Sequence, residues 1–534
     1  MKVDCIPFRK TGYFSNLMND YLDQNKELAP FYNRFPTLEN FKFQIEEKKN
    51  NFPKNHRKVL SNALFEQYKG VSLSKKTKDN VAFLAEENSF TVVTGHQLNL
   101  FTGPLYFLYK IISTINLTEE LKKAYPEYNF VPIYWMATED HDFEEINYFN
   151  FKGKKLQWNI DASGAVGRLN TDGLQAVFDA FSNSIGGGKN AEELKALFRE
   201  AYLNHKNLTD ATRFLANELF GSYGLVIVDG DDKSLKQQLV PYIKQDLLKN
   251  VAFNAVNDTI SEVNNLSGSY NIQVNPREIN YFYLIDGVRE RIIATGEKFK
   301  VNNTEIEFSE AEILKELKQF PERFSPNVIA RPLYQEVILP NLCYIGGGGE
   351  IAYWLELKKS FDAQEITFPI LLLRNSALVV NEKQAEKLRK LDLSIDDLFL
   401  NQNSFINKKI REISNVNIDF SVQRKHLENQ FQAMYELAKL TDKSFLGAVK
   451  AQEKKQINGL SKLEKKLLKA QKRKLKDQVV RMTAIQNELF PNQSLQERTL
   501  NFSELYLEYG LDLISSLKTA LKPLNGAFVI AELT

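Results

Sequence analysis

Two clusters of polar residues and glycine within residues 89–142 carry the side chains needed for proton transfer. Each cluster follows a short apolar run, the first at residues 90–94 and the second at residues 130–137. Carboxylates and imidazoles accept and donate protons, and backbone N–H groups beside a glycine can stabilise negative charge that develops during a reaction. The clusters predict a site for acid–base chemistry at seven positions: Gly95, His96, Gln97, Glu139, Asp140, His141 and Asp142.

The segments between these clusters predict one strand–helix–strand unit. Both apolar runs have the length and composition of buried strands, and the segment from Pro104 to about Pro126 has the apolar spacing of a helix. A right-handed crossover makes two such strands parallel and brings their carboxyl ends side by side. Ligands of open α/β sheets bind in the crevice at those ends. We therefore expect the seven residues to share one cleft, and polar loops on the rim of a sheet are the alternative.

A third buried strand is predicted at residues 224–230 and ends at Asp229. An acidic residue at a strand end can orient a metal ion, an amine or a ribose. Asp231 and Asp232 follow directly, and either could instead cap the helix that is predicted to begin near Lys233. The sequence leaves both interpretations open.

Four consecutive glycines at residues 346–349 mark a second strand–helix–strand unit. A short apolar strand precedes them, an amphipathic helix follows, and residues 368–373 predict the next strand. Glycines let the backbone approach a ligand closely, and N–H groups at a helix start attract anions. The run matches neither a P-loop nor a GxGxxG dinucleotide pattern. We expect an anion or carboxylate site rather than a plain turn, with these contributors: Gly346, Gly347, Gly349, Glu350, Tyr353 and Arg374.

The composition excludes several classes of function. The chain has 534 residues, of which 43% are hydrophobic and 25% charged, and its net charge of +2 gives no electrostatic reason to expect nucleic-acid or membrane binding. No apolar run reaches the roughly 20 residues that span a bilayer. The N-terminus lacks a signal-peptide pattern. Cys5 and Cys343 cannot form a disulfide framework or a metal site by themselves. We expect a cytoplasmic protein.

Changes in periodicity predict four segments. Residues 1–88 are expected to form helices that pack on the core, and residues 89–380 an α/β core with insertions at about 148–220 and 265–320, the second with strands at 272–274, 281–285 and 291–295. Residues 381–490 have heptad-like apolar spacing with a stutter between Leu467 and Leu475, which is typical of a helical hairpin or coiled coil. Residues 491–534 return to the core. A coiled-coil arm of this length predicts a homodimer.

Six sequence blocks, spread from about residue 90 to 505, together resemble a known family. They are TGHQLNLFTGPLYFLYK, VPIYWMATEDHDFEEIN, SPNVIARPLYQ, YIGGGGEIAYWLELK, FPILLLRNSALVV and SLQERTLNF. As a set they resemble the cysteine ligase family of bacillithiol biosynthesis. The resemblance implies attachment of cysteine to glucosaminyl-malate, the last step in making this low-molecular-weight thiol. It also implies a Rossmann-like core, similar to class I nucleotidyltransferases and aminoacyl-tRNA synthetases, with a coiled-coil dimerisation arm.

The implied reaction assigns roles to several residues. Activation of the cysteine carboxylate implies ATP or another nucleotide, with negative charge developing near the Gly95 loop. Asp140 and His141 are the candidates for handling the amine proton. The family commonly has glutamine at position 96, which can replace only the hydrogen bonding of His96, and this weakens an acid–base role for that residue. The malate carboxylates are expected at Asn327, Arg331 and Gln335.

Three alternatives remain beside this hypothesis. His96, Asp140, His141 and Asp142 could ligate zinc, but the chain has no HxxxH or CxxC spacing, so no metal ligand is predicted. The protein could instead be a nucleotidyltransferase that acts on a small acceptor without forming an amide. It could also be a non-catalytic coiled-coil scaffold with a nucleotide-binding head.

Overall fold

The computed structural model describes residues 1–533, which form two compact units. The first unit contains residues 1–379 and 496–533, and the second contains residues 380–495. The strands are β1 (Lys2–Pro7), β2 (Ser89–His96), β3 (Asn129–Met136), β4 (Tyr148–Phe151), β5 (Lys154–Gln157), β6 (Val226–Asp229), β7 (Tyr281–Ile285), β8 (Val288–Thr295), β9 (Lys298–Val301), β10 (Glu307–Ser309), β11 (Phe324–Pro326), β12 (Asn341–Gly346), β13 (Ile370–Leu373), β14 (Ala377–Asn381) and β15 (Ala527–Leu533).

The α-helices of the first unit are α1 (Phe8–Thr11), α2 (Asn16–Leu22), α3 (Leu38–Asn51), α4 (Lys54–Gln67), α5 (Lys75–Phe83), α6 (Tyr106–Ala124), α7 (Phe143–Ile146), α8 (Leu174–Ile185), α9 (Lys189–Leu203), α10 (Leu208–Phe220), α11 (Lys233–Lys249), α12 (Val251–Asn264), α13 (Glu310–Gln319), α14 (Ala330–Ile338), α15 (Gly348–Leu355) and α16 (Lys358–Ala363). Those of the second unit are α17 (Glu382–Lys390), α18 (Ile395–Leu398), α19 (Gln402–Ile413), α20 (Ser421–Lys439), α21 (Lys443–Lys474) and α22 (Lys476–Leu489), and the first unit ends with α23 (Gln496–Thr499), α24 (Phe502–Tyr509) and α25 (Asp512–Ala520).

A five-stranded parallel sheet in the order β13-β12-β2-β3-β6 forms the centre of the first unit. Both faces of its strands are buried, as the continuous apolar runs predict. The register pairs His96 with Met136 and Met136 with Asp229, so these carboxyl ends lie at one edge. Gly346 pairs with Leu373 at the same edge. The predicted α/β fold class with a parallel-sheet core is confirmed.

The inserted segments form antiparallel structure. Strands β4 and β5 make a hairpin, and a second sheet has the order β10-β9-β8-β7-β11. The strand predicted at residues 272–274 is absent, because the N–H groups of Gln273 and Val274 donate to the buried carboxylate of Glu356 instead of to a neighbouring strand. Residues 189–220 of the first insertion form the two helices α9 and α10, and Asn207 caps the second one.

The N-terminal segment packs on the β12–β13 side of the sheet. Phe41 and Ile45 of α3 join the apolar cluster that includes Ile345 and Leu372. The Tyr21 hydroxyl donates to the carbonyl of Leu371 at 2.6 Å. This segment is not entirely helical, because residues 2–7 form β1, which pairs antiparallel with β15. Local periodicity could not reveal a pairing between the two ends of a 534-residue chain.

The second unit is all-helical, and its longest elements are α20 and α21. The two helices run antiparallel around a small apolar core of Phe431, Ala438 and Val449. The helix breaks at Leu475, where α21 ends and α22 begins, and this is where the apolar repeat slips. None of the helices within residues 1–533 combines the length and apolarity of a membrane span.

A buried ion pair joins the N-terminal segment to the core and gives a stability prediction. Lys48 Nζ lies 2.9 Å from Glu336 Oε2, and both side chains are almost fully buried. Replacing Lys48 with Met leaves the Glu336 carboxylate buried without its counter-ion. We expect K48M to lower the free energy of unfolding by about 3–5 kcal/mol, measured by urea denaturation.

Two comparisons make that measurement specific. Adding E336Q to K48M removes the stranded charge while keeping an acceptor for Asn341, so it should recover part of the loss. The exposed pair of Glu66 and Lys69 provides a control, because K69M should change stability by no more than about 0.5 kcal/mol. Equal effects of K48M and K69M would contradict the assignment.

Candidate active site

A cavity of about 750 Å³ opens at the carboxyl edge of the central sheet. It lies where the two predicted strand–helix–strand units meet, because β2 and β12 are neighbours in the sheet. Thirteen of the residues singled out from the sequence line it: Gly95, His96, Gln97, Glu139, Asp140, His141, Asn327, Arg331, Gly347, Gly349, Glu350, Tyr353 and Arg374.

Asp229 and Gln335 lie outside the lining of this cavity. Asp229 accepts a hydrogen bond from the Thr138 hydroxyl at 2.5 Å and lies 3.8 Å from Arg213, and its burial raises its pKa. Asp232 caps α11, which agrees with the alternative that Asp231 or Asp232 begins this helix rather than contacting a ligand. Gln335 is fully buried and accepts a hydrogen bond from the Arg331 guanidinium at 3.1 Å. It therefore helps to hold the Arg331 side chain in place without lining the cavity itself.

Asp142 and Gly346 also lie outside the lining. Asp142 is exposed and precedes the short helix α7. Gly346 is buried at the end of β12, where an added Cβ would lie 2.9 Å from the Glu350 Cβ. Glycine is therefore required there for close packing beneath the cavity.

Lys110 bridges the two glycine-containing segments that line the cavity, one at Gly95 and the other at residues 347–349. Its ammonium donates to the carbonyl of Gly95 at 2.7 Å and pairs with Glu350 Oε2 at 2.5 Å. Glu350 also accepts from the N–H of Gly347 and from the hydroxyl of Tyr344. Burial lowers the pKa of Lys110. Burial acts to raise the pKa of Glu350, but the charge of Lys110 outweighs this effect and leaves the pKa of Glu350 below its usual range.

The neighbouring carboxylates Glu139 and Asp140 have opposite pKa shifts. Burial raises the pKa of Glu139 to about 7, although its carboxylate is paired with the fully buried Lys236. Burial also acts to raise the pKa of Asp140, but hydrogen bonds from His141 and Gln97 outweigh it and hold that pKa well below its usual range. Of these two carboxylates, Glu139 is the one that can change protonation state near neutral pH.

The two cavity histidines differ in environment. His96 is buried, and its burial together with the nearby Lys110 charge lowers its pKa to about 3, so the ring is neutral at physiological pH. His141 is exposed, and the Arg289 guanidinium donates to its Nδ1 at 2.7 Å. A neutral His141 therefore carries its proton on Nε2.

Sequence reasoning missed most of the positive charge in the cavity. The sequence pattern predicts Lys110 only as part of a helix, although a lysine within the apolar run of α6 indicates a buried charge. Arg289 and Arg291 occur two residues apart on β8, which places them on one face of a strand. The lining contains seven cationic side chains against three carboxylates: Lys110, Arg277, Arg289, Arg291, Arg331, Arg374 and Arg498 against Glu139, Asp140 and Glu350.

Many of these arginines lack a carboxylate partner. Arg374 pairs with the buried Glu497 at 2.7 Å. Within residues 1–533, no ion pair forms at Arg277, Arg291, Arg331 or Arg498. Arg331 instead contacts Gln335 and the Tyr353 hydroxyl. Uncompensated guanidinium groups in a cavity fit carboxylate or phosphate ligands.

The proposed metal-ligand grouping has no geometric support in the described part of the chain. Across residues 1–533, no three His, Cys, Asp or Glu side chains converge as metal ligands would. The Nδ1 of His141 faces Arg289, a cation.

Comparison with known proteins agrees with the architecture. The family model described as bacillithiol biosynthesis BshC, N-terminal Rossmann-like domain, matches residues 1–375. The model of the C-terminal coiled-coil domain of BshC matches residues 377–533.

Three relatives carry the name "Putative cysteine ligase BshC". The protein from Flavobacterium johnsoniae is 59% identical over 530 residues, covering 99% of each chain. That from Christiangramia forsetii is 59% identical over 534 residues, again covering 99% of each. That from Flavobacterium psychrophilum is 58% identical over 533 residues and covers 100% of both chains.

Full-length similarity at this level, with both domain models in their expected order, shows common ancestry. The chain belongs to the bacillithiol biosynthesis BshC family.

Proposed function

We propose that this protein is the cysteine ligase of bacillithiol biosynthesis and joins the carboxylate of cysteine to the amine of glucosaminyl-malate. The observation that carries the proposal is one cavity that combines unpaired arginines with a carboxylate whose pKa is near 7. The arginines suit an anionic substrate, and the carboxylate suits removal of a proton from an attacking amine. The names of the full-length relatives support the same function.

The malate group would contact the side of the cavity lined by the inserted sheet, the segment before β7 and the start of α14. Arg277, Arg291 and Arg331 offer guanidinium groups, and Asn327 adds an amide. Asn280 fixes two of these positions, because its side-chain Oδ1 accepts from the backbone N–H of Arg277 and from the side-chain amide of Asn327. Two carboxylates on one small substrate would satisfy several of these donors at once.

A nucleotide, with ATP as the expected one, would supply the activation of the cysteine carboxylate. Its phosphates would lie near the glycine loop at residues 347–349, where Arg498 and the start of α15 face the cavity. An added Cβ at Gly349 would meet no atom within 4 Å, so this side of the loop is open to a ligand. Amide formation then joins the amine nitrogen to the activated carbon and releases the activating group.

We assign proton removal to Glu139 rather than to Asp140. Asp140 accepts hydrogen bonds from Gln97 Nε2 and from the N–H of His141, which makes it a positioning group for both. The Nε2–H of His141 can donate a hydrogen bond to substrate. His96 is neutral and shapes the wall of the cavity.

The reaction itself is the first test. The purified protein, incubated with cysteine, glucosaminyl-malate and ATP, should yield the thiol product by mass spectrometry, and cysteine should promote exchange of pyrophosphate into ATP. A nucleotide joined to an acceptor without amide formation would instead indicate a nucleotidyltransferase. Product formation with release of phosphate and ADP would retain the ligase but replace adenylation with an acyl phosphate.

The pH dependence tests the role of Glu139. A general base acts only when deprotonated, so with a pKa near 7 the value of kcat should fall as the pH drops below about 7. E139Q should lower kcat by about 100-fold or more, and the residual rate should no longer fall as the pH drops below about 7.

D140N is the matched comparison for this experiment. The pKa of Asp140 lies far below neutrality, so in D140N the value of kcat should still fall as the pH drops below about 7. Thermal unfolding of each variant controls for misfolding. Near-normal kcat in E139Q would remove Glu139 from the mechanism.

We further propose a homodimer formed through the helical unit. Leu437 and Leu440 are 60% and 84% exposed, near the α20–α21 connection, and Met434 and Phe445 extend this apolar surface. An apolar surface of this kind on paired helices fits a second copy of the same unit.

Cys5 and Cys343 are free thiols, in keeping with a cytoplasmic location.

Light scattering after size exclusion tests the dimer. The wild-type mass should be twice the 61.5 kDa of one chain, and L437E/L440E should shift it to the monomer. Gln432 is an exposed polar residue of the same helix, so Q432E should leave the dimer intact. A monomeric wild-type protein at micromolar concentration would refute the proposal.

A further inference from the structure

A small internal cavity lies on the far side of His96 from the active site. It offers about 10 Å³ to the centre of a water molecule, and His96 lines both this space and the active-site cavity. This volume is near the lower limit for one water molecule, which is roughly 10 to 15 Å³ on the same measure.

Four buried polar atoms in the wall of this cavity have no hydrogen-bond partner within residues 1–533. They are His96 Nε2, Asn99 Oδ1, Thr102 Oγ1 and Thr212 Oγ1. Each residue is at least nine-tenths buried, with exposed fractions of 7%, 9%, 4% and 5%. Buried polar atoms are nearly always paired with protein or water, so four of them around one space point to a ligand.

The Thr212 hydroxyl departs from the usual behaviour of threonine in a helix. Thr114 in α6 and Thr259 in α12 each donate to the carbonyl four residues earlier, at 2.9 and 3.0 Å. Thr212 in α10 makes no such bond and lines the cavity instead. Its hydroxyl is therefore free to bond something in that space.

Thr102 belongs to a strained turn that needs external support. Phe101 and Thr102 have left-handed φ values of 47° and 69° and precede Gly103 at 62°. The Asn501 amide donates to the carbonyls of Phe101 and Gly103 at 2.8 and 2.7 Å, and so supports one side of the turn. The Thr102 hydroxyl has no hydrogen-bond partner within residues 1–533, and Thr102 lines the small cavity.

The four atoms match the bonding capacity of one water molecule. The ring of His96 is neutral, and its Nε2 is an acceptor when the ring proton is on Nδ1. Asn99 Oδ1 is a second acceptor, and the two threonine hydroxyls can donate. Two acceptors and two donors complement the two protons and two lone pairs of water.

We propose that this cavity is a binding site for one buried water molecule that joins the end of β2, the turn at residues 99–103 and helix α10. The water bonds His96 Nε2 and thereby fixes the ring that forms part of the active-site wall. His96 and Thr212 act as positioning residues through it.

A high-resolution crystal structure of the full chain tests the site directly. The map should show one water at roughly 2.7–3.2 Å from the four atoms. The double variant T102V/T212V removes both donors while keeping side-chain shape, and it should lose this water. An empty cavity in the wild type, or the four atoms paired with one another, would overturn the proposal.

The His96 resonance gives a second readout in solution. In the protein labelled with ¹⁵N-histidine, T212V alone should shift the Nε2 signal of His96, which H96Q identifies among the five histidines. The control T118V removes a buried hydroxyl that bonds the carbonyl of Ile115, and it should leave the signal unchanged. No shift in T212V, or an equal shift in T118V, would contradict a water bound between His96 and Thr212.

Discussion

The buried ammonium of Lys110 is the contact on which the geometry of the cavity depends. It bonds the carbonyl of Gly95 from one loop and the carboxylate of Glu350 from the other, so it fixes the distance between the carboxyl ends of β2 and β12. Glu350 in turn caps the N–H of Gly347. A buried ion pair contributes little net stability but strongly disfavours any arrangement that separates its members. The pair therefore specifies where the two loops lie.

A second set of contacts comes from the segment that follows the helical unit. Glu497 pairs with Arg374 and accepts from the N–H of Ala377, and Gln496 bonds both backbone groups of Val379. Asn501 supports the strained turn that precedes α6. More than a hundred residues separate this segment from the strands it completes, which shows why the helical unit can be inserted between them without disturbing the sheet.

The sequence predicted the parts of the site that depend on local pattern. Continuous apolar runs and the glycine loop gave the parallel strands and their shared edge, because a strand buried on both faces must be apolar throughout. The arginines on the inserted sheet and Arg498 could not be placed this way, since their approach to the cavity depends on long-range packing. Asp229 and Gln335 show the converse: their positions suggested ligand contact, but each is buried against protein partners.

The pairing of β1 with β15, and of Glu497 with Arg374, has a consequence for synthesis of the chain on the ribosome. The sheet strands that carry the cavity are complete by residue 373, but Arg374 stays without its counter-ion until residue 497 has emerged. Until then the partly made protein exposes a cationic, unfinished cleft and an unpaired first strand. A chain truncated in the helical unit would carry every strand of the central sheet and still lack Glu497, the counter-ion of Arg374.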